Sequence, residues 1–186
     1  MNLPPELQAA LLGRRVVFLR GRLDDPTANA VIAQLLLIAR TGAGPEAEKA
    51  IELYLDSPGG SVGAALGVYD MLRTLNVPVS TICNGRAGGA SVLILAGGAS
   101  GLRYALPNAR IHLTDESVDV LATHPKDLAS SAAEAARLRA RWQDALVGHT
   151  AHSAAQIGRD LSQGRWLSAA EARDYGLVDG IIPGPT

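Results

Sequence analysis

Apolar residues recur along this chain in two alternating rhythms. Arg15-Val16-Val17-Phe18-Leu19-Arg20 is a short β-branched and apolar run, which predicts a strand. Asp24-Asp25-Pro26-Thr27 then supplies cap chemistry with proline at an early helical position, and Ala28 to Arg40 puts Val31, Leu35 and Ile38 on one helical stripe. After a Gly-rich loop from Thr41 to Pro45, Ala50-Ile51-Glu52-Leu53-Tyr54-Leu55 predicts a second strand ending in the turn Asp56-Ser57-Pro58-Gly59-Gly60. A helix from Ser61 to about Leu75 carries Ala65, Val68 and Leu72 on one face, and Val77 to Cys83 predicts a third strand. Asn84-Gly85-Arg86-Ala87-Gly88-Gly89 reads as a glycine turn feeding an apolar helix, Ala90 to about Ala96.

Two short strands are expected near Arg103–Ala105 and Ala109–Leu113, and the longest helix from Pro125 to about Val147, with Leu128, Ala135, Leu138, Trp142 and Leu146 near one stripe. A shorter helix begins near Ser153. The last helix is well punctuated: Ser168 and Glu171 form a capping box, and Gly176 stands where a C′ glycine belongs. Leu177 to Ile182 closes the pattern as a strand. Strand and helix alternating at short spacing in the first half predict stacked βαβ units and a mostly parallel sheet. The long helix falls beyond that alternation, as an arm projecting from the core.

Composition narrows the function classes. At 186 residues the chain is expected to be one ordinary domain or a tight pair. Lys+Arg 17 against Asp+Glu 18 gives no basic surplus, which argues against a nucleic-acid partner. Hydrophobic residues at 47% against 19% charged exclude a disordered chain and leave apolar surface to meet a partner. The single Cys83 fits a reducing compartment, and no Cys/His cluster suggests a metal. No apolar run reaches the roughly 18 residues of a membrane span. Met1 to Gln8 has neither basic n-region nor apolar h-region, so no signal peptide is expected and the localisation expected is cytoplasmic.

Candidate chemistry centres on two strand-to-helix glycine turns, Ser57–Ser61 and Gly85–Ala90, whose backbone N–H groups can gather around an anion or a developing oxyanion. Alone, each reads as strand–helix punctuation. Neither is a Walker loop or a dinucleotide fingerprint.

Leu53–Val62, Val79–Cys83 and Arg103–Ile111 resemble the proteolytic subunit of the Clp protease, the ClpP family. So do Val31–Leu36, His149-Thr150 and Leu167–Asp179, and the resemblance runs from about residue 7 to about residue 182. It implies an α/β fold, the ClpP/crotonase-like stacked ββα spiral with a protruding helical handle, here one domain over 1–186 with the handle at about 115–147. It also implies heptameric rings of this chain or of active Clp proteolytic subunits, stacked in pairs into a tetradecamer and fed by an AAA+ unfoldase, with no cofactor.

The family cuts peptide bonds with a Ser–His–Asp triad. Its serine lies in a Gly-Gln-Ala-Ser/Ala-Ser-Met-Gly turn; without a gap, that position is Gly89. Its histidine follows Asn-Ala-Arg-Ile as Met-x-His, which places Thr114 at the base position. Its aspartate stands four residues before the serine of the last capping box, at Gly164. The resemblance therefore implies a degenerate, ClpR-like member, a pseudoprotease in a structural or regulatory role. The oxyanion donors would be the backbone N–H groups of Gly60 and Ala90.

Three alternatives stand beside this. A displaced Ser91/His112 pair would keep a serine peptidase active, but two residues turn a helical side chain by about 200° and move a strand side chain about 6.6 Å. A crotonase-like acyl-CoA enzyme shares the spiral and a Ser-Ala-x-Glu-Ala…Gly-Leu-Val-Asp ending. A stand-alone peptide-binding or inhibitor-sequestering module is the third. Two departures from the family matter. About fourteen residues precede Arg15, too few for axial loop and lead-in helix together, and Asp115–His124 lacks the Gly-Gly of the handle strand. His124, His149 and His152 read as surface or packing residues.

Overall fold

The computed structural model describes residues 4–41, 49–115 and 128–183. Helix α1 (Pro5–Gly13) leads into strand β1 (Val16–Arg20) and helix α2 (Asp25–Arg40). Strand β2 (Ile51–Ser57), helix α3 (Val62–Thr74), strand β3 (Val79–Gly88) and helix α4 (Ser91–Ala96) follow. Then come β4 (Arg103–Ala105), β5 (Arg110–Leu113), the long α5 (Leu128–Val147), α6 (Ala154–Gln163), β6 (Arg165–Ser168), α7 (Ala169–Asp174) and β7 (Gly180–Ile181).

The elements form where the local chemistry asks for them. Asp24 accepts from Thr27 N–H at the start of α2, and Ser61 from Ala64 N–H at the start of α3. The expected stripes are the buried ones: Val31, Leu35 and Ile38 on α2, and Ala65, Val68 and Leu72 on α3. Ser168 and Glu171 close the capping box on α7, and Gly176 turns left-handed at φ 88° after it.

One mostly parallel sheet runs in the order β1-β2-β3-β4-β7, while β5 joins the far end of β3 and pairs antiparallel with β6. The third strand, expected to end at Cys83, continues to Gly88. The reason is a change of neighbour: β3 pairs with β4 through Thr81–Cys83, then with β5 through Arg86–Gly88. The final strand is shorter than expected, since only Gly180 and Ile181 pair with β4, while Leu177 and Val178 are buried as core. Strand β6 has no counterpart in the sequence reading.

The long helix behaves as the expected arm. Of its twenty residues only Trp142 and Leu146 are buried, and Leu128 is 55% exposed. The segment 116–127, with the glycine-free stretch and His124, lies outside the described residues, as does most of the predicted loop after Thr41.

Two contacts hold the ends of these units. At the first, the Ser57–Ser61 turn lies backbone against backbone on the end of β3: a Cβ at Gly88 would stand 2.6 Å from Pro58 O. A Cβ at Gly60, whose φ is +147°, would stand 2.2 Å from Leu23 O, so only glycine fits. Ser91 Oγ, fully buried, joins the layers by accepting from Gly88 N–H (3.0 Å) and donating to Gly88 O (2.8 Å), with Ser57 O at 3.3 Å. At the second, Arg103 grips Asp179 through Nε (2.9 Å) and Nη2 (2.5 Å), and its own backbone N–H adds a third bond at 3.0 Å. Arg103 Nη1 also donates to Gly176 O, fixing the last turns to β4.

Both contacts predict measurable effects. Ser91→Ala leaves the buried Gly88 N–H without its acceptor and should cost about 1–3 kcal/mol, read as a lower urea midpoint at unchanged m-value. The Arg103 hydrogen bonds hold the Asp179 carboxyl below its ordinary value. Folding therefore favours the carboxylate: its stabilisation is complete above the unfolded value near 4 and is lost as pH falls through the lower folded value. Asp179→Asn should lower stability at neutral pH by about 1–2 kcal/mol, and the gap from the parent chain should narrow below about pH 4. A gap constant with pH would show that the charge contributes nothing.

Candidate functional site

The ends of β2 and β3, the β5–β6 pair and the start of α4 meet at one corner. The Gly89 N–H donates to His112 O at 3.0 Å, so the turn before α4 is tied to β5. The β5–β6 ladder runs Arg110↔Ser168, Ile111↔Leu167, His112↔Trp166 and Leu113↔Arg165, so Thr114 and Gly164 each adjoin its last pair. Asp115 N–H bonds Leu161 O just beyond. Positions 89, 114 and 164, separated by up to 75 residues in sequence, thus converge on the same corner.

Two of these positions have special backbone. Gly89 has φ +46°, and Gly164 has φ 64° and ψ 51°, the left-handed residue that ends α6. Thr114 is half-buried. Gly60 and Ala90 are buried at the two glycine turns, Gly60 bridging to Leu23 and Ala90 capping α4.

Ser91 and His112 do not meet as a hydrogen-bonded pair. The serine hydroxyl is committed to the backbone of Gly88 and Ser57. The imidazole lies flat on Trp166, with ring centroids 4.0 Å apart and planes 7° from parallel. Its Nε2 stands 3.4 Å from where a Cβ at Gly164 would sit. Burial holds His112 below its ordinary pKa and nearby Arg86 adds to that, while a backbone contact at Gly164 acts the other way.

Beneath the corner lies a buried acid that the sequence reading does not single out. Asp160 accepts from Tyr175 OH (2.7 Å), Gln156 Nε2 (3.1 Å) and Arg165 Nη1 (3.3 Å). Burial opposes its charge, yet these donors hold its carboxyl below the usual range, and burial pushes the Tyr175 phenol up. The network ties α6 to β6 and to the end of α7. Its signal in the sequence was an aspartate on the apolar stripe of Ile157 and Leu161.

The remaining candidates are packing residues. His149 Nε2 lies 3.0 Å from Tyr69 OH, and His152 stacks on Tyr175. Burial pushes the Cys83 thiol up to about 12, and the residue sits in the core of β3. Among the described residues no three His, Cys, Asp or Glu side chains gather as a metal site. No described helix is long and apolar enough to cross a membrane.

Comparison with known proteins agrees with this architecture. The family described as Clp protease matches residues 5–184. An ATP-dependent Clp protease proteolytic subunit-like protein of Streptomyces coelicolor is 41% identical over 175 residues, 94% of this chain and 81% of that relative. With its parallel sheet, its glycine-lined corner and its projecting helix, the chain belongs to the Clp protease family.

Proposed function

We propose that this chain is a catalytically silent Clp-type subunit, acting as a structural or regulatory member of a ring built with itself or with active Clp proteolytic subunits. One observation carries the reading: the three positions where the family's triad belongs converge, and they bear Gly89, Thr114 and Gly164. Glycine offers no nucleophile and no carboxylate, and a threonine hydroxyl accepts no proton near pH 7. Losing the serine or histidine of a Ser–His–Asp triad costs on the order of a million-fold in kcat.

The backbone supports the same reading. Residues 89 and 164 both sit at left-handed φ, where a non-glycine side chain costs roughly 1–2 kcal/mol. Active sites keep such strain because the chemistry needs it; glycine at both positions relieves it. The turns that would supply the oxyanion donors, Gly60 and Ala90, keep their place because Gly60 and Gly88 are needed for backbone packing. A displaced Ser91/His112 dyad would require Ser91 to leave its buried backbone partners and His112 its indole stack. Assembly is supported by apolar surface: Leu7, Leu37 and the arm's Leu128 are each about half exposed. An AAA+ unfoldase as feeding partner and a cytoplasmic setting follow from the same family reading, and no cofactor is invoked.

Incubation with a fluorophosphonate probe followed by intact mass should leave the purified chain unlabelled while an active Clp subunit labels stoichiometrically. Labelling of Ser91 or any other serine would overturn silence. Native mass measurement should give heptameric or larger particles, alone or mixed with an active subunit, and a strict monomer at micromolar concentration in both cases would refute the ring role. Gly89→Ser should lower stability by roughly 1–2 kcal/mol in chemical denaturation, and an unchanged midpoint would remove the strain argument.

A further inference from the structure

The corner carries chemistry that neither the triad positions nor the fold requires. Strand alternation puts Arg110 and His112 on the same outward face of β5, since Ile111 and Leu113 between and beyond them are buried. In register, Arg86 of β3, Arg110 of β5 and Ser168 of β6 lie abreast, with Gly88, His112 and Trp166 abreast one step on. Arg86 and Arg110 are exposed, and Trp166 is 43% exposed.

Two guanidinium side chains directly opposite each other across a strand pair repel. Among the described residues neither has a carboxylate within ion-pair distance. The acid that feels Arg110, Glu171, accepts from Ser168 N–H and Oγ in the helix cap. Asp56 accepts from the backbone N–H of Arg86. Arg165, the third arginine here, is taken by Asp160. In the motifs that this chain resembles, arginine also stands at position 110, whereas glutamine stands at 86 and methionine at 112, so the second guanidinium and the imidazole are this chain's own.

We propose that this face of β3, β5 and β6 is a binding site for the carboxylates of an acidic peptide, with Arg86 and Arg110 as the paired forks and Trp166 as the apolar wall. A guanidinium fork matches a carboxylate bidentately. The two arginines stand on strands about 4.8 Å apart, and their long side chains can spread to the roughly 6.6 Å between same-face carboxylates of an extended chain. A nucleotide fits less well. His112 already covers one indole face, and Arg110 lies 5.9 Å from the ring centroid, which leaves an edge for aliphatic contact rather than a stacking surface for a base. The site stands on this geometry and does not depend on the chain being silent.

The test is fluorescence anisotropy of a fluorescein-labelled peptide of alternating Glu and Ala, titrated with the purified full chain, with the Gln–Ala peptide, ADP and inorganic phosphate as comparison arms. The Glu peptide should bind and shift Trp166 emission, a shift that Trp166→Phe abolishes. Affinity should fall at least about tenfold in Arg86→Gln/Arg110→Gln and with rising ionic strength. Arg86→Gln alone, at an exposed position, should give an intermediate loss and serves should the double variant fail to fold. The proposal is overturned if the Glu peptide does not bind at about millimolar protein, if folded variants bind it as the parent does, or if the Gln peptide binds equally. It is likewise overturned if ADP or phosphate displaces the probe more effectively than unlabelled Glu peptide.

Discussion

The fold turns on a place where two stretches of main chain touch with no side chain between them. The turn after β2 lies on the end of β3 so closely that Gly88 meets Pro58 O, and Gly60 meets Leu23 O on its other side. Backbone at that distance must satisfy its own polar groups. Ser91 Oγ does so for Gly88, while Leu23 exchanges bonds with Gly59 and Ser61. From this contact follow the bulge between Leu55 and Ser57, the change of partner along β3 and the placing of β5 against its far end. The serine that looks most like a displaced nucleophile is therefore a fastener.

The corner that results gathers glycine turns, two arginines and a pair of stacked aromatic rings. Left-handed turns remain at Gly89 and Gly164, but glycine occupies them without strain. There the His112 imidazole stacks on the Trp166 indole. Burial disfavours a protonated His112, and nearby Arg86 adds to that.

Among the described residues few charges are buried, and those that are fasten one element to another. Arg103 with Asp179 binds the final strand to β4, and Asp160 with Tyr175, Gln156 and Arg165 binds α6 to β6. Each acid meets several donors, which offsets the desolvation that burial imposes. The Asp160 network reaches β6 through Arg165 and so helps to hold the antiparallel β5–β6 flap.

Much of the architecture was legible from the order of residues. The alternation of Ile51 to Leu55, the stripes of α2 and α3, the Ser168–Glu171 box and Gly176 are local signals, each contained in one or two turns of chain, and local geometry obeys them. The motifs also gave positions 89, 114 and 164 by counting. What they could not give was the continuation of β3 to Gly88, the short β6, the buried role of Ser91, or the meeting of Arg86 with Arg110 and of His112 with Trp166. Those depend on register between strands far apart in sequence, and a one-residue slip would turn every such side chain to the other face. Local propensity sets which segments are strands and helices, whereas which side chains become neighbours is decided only when the sheet closes its ladder.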